Sequence, residues 1–60
     1  MKITKLTDSK FMVTTEEDNR IFSWEELLTF LDDICEHLHR DIPDIIAELA
    51  SYRNGAILNL

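Results

Sequence analysis

Residues 22–40 read FSWEELLTFLDDICEHLHR, and this stretch decides the fold. Ser23 and Glu26 stand in the S-x-x-E relation of a capping box, in which each side chain satisfies a backbone N–H that the first helical turn leaves unpaired. Phe22 and Leu27 flank that cap at the spacing of a hydrophobic staple. Glu25 and Glu26 sit where the helix dipole favours negative charge. A helix therefore begins at Trp24. Trp24, Leu27, Leu28, Leu31, Ile34, Cys35 and Leu38 then gather into an apolar stripe about 120° wide, the pattern of a helix lying on a core. The spacing predicts a helix over about 24–39, with Trp24 and Cys35 as core residues. Phe30 falls outside the stripe, on the same flank as His37.

Upstream, residues 2–7 (KITKLT) and 10–15 (KFMVTT) are rich in β-branched residues and separated by Asp8-Ser9, which suits a two-residue hairpin. Phe11, Val13 and Thr15 alternate with Met12 and Thr14, so the two sets lie on opposite faces of the strand. Glu16 to Asn19 is an acidic turn in which Asn19 is a natural left-handed residue, and residues 20–22 form a short third strand. Downstream, Pro43 breaks the long helix and opens a second one over about 42–53. Its apolar side is Ile42, Ile45, Ile46, Leu49, Ala50 and Tyr52, and Asn54-Gly55 stops it. The expected fold is α+β: a three-stranded antiparallel β-meander on an αα-hairpin. The apolar tail Ala56-Ile57-Leu58-Asn59-Leu60 adds an edge strand or, through Ile57, Leu58 and Leu60, an oligomer contact.

Sixty residues make one domain, near the size at which a single core only just outweighs chain entropy, so a homodimer is a natural expectation. The 45% hydrophobic content is that of a globular chain. One cysteine excludes an internal disulfide. No apolar run reaches transmembrane length and MKITKLTDSK has no signal-peptide character, so a cytoplasmic location is expected.

The net charge of −6 is uneven. Residues 1–15 carry three lysines against Asp8, a surplus of +2, whereas residues 16–60 carry eleven acids against three arginines, a deficit of −8. Such a surface disfavours direct nucleic-acid binding, which needs cations to replace counterions, and suits docking on basic proteins.

Catalytic chemistry finds no foothold. Cys35 with His39, and Asp33 with His37, have i, i+4 spacing, but no C-x-x-C or H-x-x-x-H pair completes a metal set. Cys35 is expected in the apolar stripe and has no glycine-rich loop beside it. The single glycine leaves no phosphate cradle. No cofactor, metal site or enzymatic activity is expected. The remaining signal is a ridge of Glu25, Glu26, Asp32, Asp33 and Glu36 along one helix, against the plainer account of a solvated surface with local pairing such as Glu36 to Arg40. With Phe30 and His37 beside it, the ridge points to a protein-binding surface. A factor that occludes a basic or nucleic-acid-binding groove, of the kind phages and mobile elements direct at host machinery, is the leading expectation. A homo-oligomeric assembly protein is the alternative. A DNA-binding regulator is disfavoured, because Asp44 and Glu48 occupy the helix that would need basic residues.

Overall fold

The computed structural model describes residues 1–60 and has an α+β fold. Strands β1 (Lys2–Thr7), β2 (Lys10–Thr14) and β3 (Asn19–Phe22) are followed by helix α1 (Trp24–Asp33), a short 3-10 turn (Cys35–His37), helix α2 (Ile42–Ser51) and strand β4 (Ile57–Asn59). The sheet is antiparallel throughout, in the order β3-β2-β1-β4. The expected meander is present, and the apolar tail makes it four-stranded.

Register places two kinds of residue on two faces. Ile3 pairs with Val13 and with Leu58, and Lys5 pairs with Phe11. These residues are buried and meet Leu27 and Leu31 of α1 and Ile45 and Leu49 of α2 in one core. Alternation sends the next row, Ile21–Met12–Thr4–Ile57, to the open face of the sheet. Ile21 and Ile57 are 61% and 50% exposed there.

The β1–β2 connection lacks a glycine, and only Gly55 in the whole chain has positive φ. The primed turns usual in two-residue hairpins need that geometry. Pairing instead shifts between Lys5–Phe11 and Thr7–Lys10, leaving Leu6 as a bulge. Asn19 is likewise not left-handed; it is the first residue of β3, and Thr15 lies outside β2.

α1 is shorter than its stripe. It ends at Asp33 rather than near His39, and Ile34 leaves helical geometry at φ −109°, ψ 15°. The last turn carries Asp32 and Asp33 and no basic residue, an arrangement that the helix dipole disfavours and that does not account for the stop. Ile and Cys follow, both modest helix formers. This break moves Cys35 out of the stripe: it is exposed, not core. Leu28, at the stripe's edge, is 42% exposed. Trp24 is half-buried against the core, its ring 4.3 Å from that of Phe11 and its Nε1 donating to the Asp8 carbonyl at 2.8 Å.

α2 ends at Ser51, before the expected Arg53, because Tyr52 is extended at φ −75°, ψ 150°. Ala50 faces solvent rather than the core. Gly55, at φ +91°, serves a turn rather than the helix end itself. The Ala56 amide donates to the Arg53 carbonyl at 3.1 Å across it, the pattern of a type II turn with glycine at its third position. That turn aims β4 back along β1.

Lys5 is the one buried charged residue, 5% exposed. Its ammonium donates to the carbonyls of Tyr52 at 2.9 Å, Leu49 at 3.2 Å and Ala50 at 3.5 Å. They lie at the helix C-terminus, where carbonyls lack intrahelical partners, although that of Leu49 also accepts from the Tyr52 amide at 3.2 Å. A strand lysine therefore caps α2, and its cation meets the negative end of the helix dipole.

Candidate functional site

The residues singled out as partner-binding spread around the exposed side of α1 and the 3-10 turn, and Phe30 borders Glu25, Glu26 and Asp33 in one shallow depression. The capping box sets the helix direction: the Glu26 amide donates to Ser23 Oγ at 3.3 Å, and the Ser23 amide donates to Glu26 Oε1 at 3.1 Å. Glu26 is thus committed to the helix start, and those bonds with Ser23 hold its pKa below the usual 4.5. With Leu27 and Leu31 turned into the core, a 3.6-residue repeat points Leu28, Asp32, Glu25, Thr29 and Asp33 outward.

That outward arc has a definite composition. Leu28 is the edge of that arc nearest the core, with Glu25 one turn before it and Asp32 one turn after, while Asp33 lies on the far side beside Thr29 and Phe30. Glu25, Asp32 and Asp33 are exposed, and the two ion pairs of the molecule, Arg20–Asp18 and Arg40–Glu48, involve none of them. Pairing of Glu36 with Arg40 does not occur, because the helix that would align them has already ended. Arg40 reaches Glu48 on α2 at 2.6 Å instead. Glu36 sits on the 3-10 turn, detached from the ridge of α1.

Asp32 also borders a depression of about 600 Å³ shared with Cys35, His39, Asp41 and Asp44. No three of the Cys, His, Asp and Glu side chains of this chain group so as to hold a metal ion. The depression extends the acidic surface from α1 to the first turn of α2.

Phe30 and His37 come together on one flank. Phe30 stacks at a tilt on Phe22, with ring centres 5.2 Å apart, which consumes part of its surface in packing. Its remaining edge and His37 line a groove with Ile34, Leu38 and the ends of β1 and β4. Of the expected oligomer contacts, Leu58 is 4% exposed in its own core and is unavailable, Ile57 is exposed, and Leu60 is half-buried. Strand alternation explains the difference: Leu58 points to the helices and Ile57 away from them.

The pattern concealed Leu28, which the stripe claimed for the core. Its place at the stripe's extreme edge was the available signal. No protein-family model, curated protein or solved structure matches this chain. No helix is long and apolar enough to cross a membrane.

Proposed function

We propose that this chain is a non-enzymatic protein-binding factor that docks the outward face of α1 onto a basic surface of a partner. The observation that carries the reading is Leu28, 42% exposed and flanked one turn away on either side by Glu25 and Asp32, neither of which is in an ion pair. An exposed leucine beside free carboxylates has the composition of a small interface: an apolar anchor that loses water on binding and charges that steer encounter. A partner of complementary form has an apolar dimple ringed by Lys or Arg. Nucleic-acid-binding grooves have that character, so the factor would act by occupying one, as a cytoplasmic inhibitor of the phage or mobile-element type does.

The test is capture on immobilised protein. The wild-type chain is compared with Leu28→Asp and with Asp32→Lys/Asp33→Lys, each verified as folded by circular dichroism. Wild type retains a discrete partner that nucleic acid displaces, and both variants lose it. Undiminished capture by the charge-reversed variant rejects the acidic face as the docking surface.

A second reading, self-assembly, is favoured by the row Ile21–Met12–Thr4–Ile57 on the open sheet face. Light scattering distinguishes it: a dimer that Ile21→Lys returns to monomer supports it, and a monomeric wild type rejects it. Truncating the tail is not a clean probe, since Leu58 belongs to the core.

A further inference from the structure

The groove beside Phe30 adjoins the acidic surface, sharing His39 and Arg40 with the depression that Asp32, Asp41 and Asp44 border, and has a different chemistry. It encloses about 470 Å³, within the range of small-molecule sites. Its walls are Met1, Phe30, Ile34, Leu38 and Leu60. All five are packed against the core yet only partly buried, so their outer surfaces remain wet. Such surface gains on being covered, by about 25 cal/mol per Å² removed from water.

The lining is also selective in charge. His37, His39 and Arg40 supply every ionisable side chain in it. No aspartate or glutamate lines the groove, although the chain contains twelve. Both histidines are exposed at the rim, and neither forms an ion pair. Arg40 is held in place from below by Glu48, so the segment carrying the histidines is tied to α2. An apolar trough with a lip of imidazole and guanidinium N–H donors and no carboxylate side chain complements one kind of small molecule: an apolar tail bearing an anionic, hydrogen-bond-accepting head.

We infer that this groove binds a small amphipathic monocarboxylate, its tail along Phe30, Ile34 and Leu38 and its carboxylate beside His37 and His39. The carboxylate accepts hydrogen bonds from imidazole N–H groups, which are stronger when the rings are protonated. No bond is made or broken; the step is binding alone. The site is independent of the α1 docking face, and neither depends on the other.

The experiment titrates the intact protein with decanoate at pH 6, below micelle formation, by calorimetry and by amide NMR. Decan-1-ol serves as the uncharged match for the tail and acetate as the head alone. Decanoate binds about ten-fold more tightly than decanol, a difference of about 1.4 kcal/mol, and acetate does not bind. The shifted amides are those of Ile34, His37, Leu38 and His39. His37→Gln/His39→Gln, at two exposed positions, lowers decanoate affinity to that of decanol while leaving the decanol affinity unchanged. Equal affinity for decanoate and decanol overturns the inference, as does decanoate binding that the double variant leaves untouched. Shifts centred on Met12, Ile21 and Ile57 would place the ligand on the open sheet face and overturn it too.

Discussion

Replacing Lys5 with methionine keeps the apolar stem and removes the ammonium that closes α2. The energetics have opposing parts. Taking a cation out of water is costly, and apolar replacements of buried charges are often neutral or stabilising. Here, however, the substitution removes only the donor. The carbonyls of Tyr52, Leu49 and Ala50 lose bonds of 2.9, 3.2 and 3.5 Å, and the C-terminal end of α2 loses its cation. A partly buried cation at a helix C-terminus contributes up to about 2 kcal/mol, and hydrogen bonds from a charged donor about 1.5–3 kcal/mol. Solvent access to the Ala50 carbonyl offsets some of this, since Ala50 itself is exposed. The expected net cost is about 2 kcal/mol, a large share of the roughly 3–9 kcal/mol that a chain of this size holds at the usual stability per residue. In urea unfolding followed by Trp24 fluorescence, the midpoint falls, and the melting temperature drops by about 8–16 °C. Lys2→Met, three residues away in β1 and on the open face, changes stability by less than about 0.5 kcal/mol. A Lys5→Met protein as stable as wild type would refute the helix-closing role.

Leu27→Ala and Leu28→Ala separate the two faces of α1 in one assay: the first costs about 2–5 kcal/mol by opening a cavity, the second less than about 0.5 kcal/mol, and equal costs would mean the helix is rotated. Ser23→Ala removes the cap and lowers stability by about 1 kcal/mol at neutral pH. The same cap has a pH signature: the folded-state pKa of Glu26 is depressed by Ser23, so its contribution is present above the ordinary 4.5 and disappears as pH falls through the lower folded value. Acid titration of stability should show that loss in wild type and a flatter profile in Glu26→Gln. Cys35, being exposed, reacts fully with a thiol reagent such as Ellman's without denaturant; protection in the native state would return it to the core.

Element types and order were legible wherever local chemistry and periodicity agreed. Ser23 with Glu26 marked the start of α1 to the residue, and the alternation in β2 put Phe11 and Val13 on one face, which the fold buries. The tail's apolar character announced a docked strand, although its partner strand, β1, is distant in sequence. Errors came where the fold departed from the pattern. The stripe ran on to Leu38, but the chain leaves α-helical geometry at Ile34 and tightens into the 3-10 turn. Cys35 was therefore misplaced, and the pairing of Glu36 with Arg40 was lost. Lys5 was invisible as a core residue, because nothing in its neighbourhood indicates that the end of α2, more than forty residues later, lies above it. Of the candidate site, the acidic ridge was legible as composition. The shared flank of Phe30 and His37 was legible too, whereas the exposure of Leu28 and the groove that Phe30 and His37 form with Leu38 and Leu60 emerged only from the fold.

The central claim, that the outward face of α1 docks a protein, is tested most directly by site-specific photo-cross-linking in cells that produce the chain. A benzophenone side chain is placed at position 28, and separately at position 12 on the open sheet face. The account predicts a discrete heterologous adduct from position 28, abolished by Asp32→Lys/Asp33→Lys, and none from position 12. An adduct from position 12 with none from position 28 would contradict it.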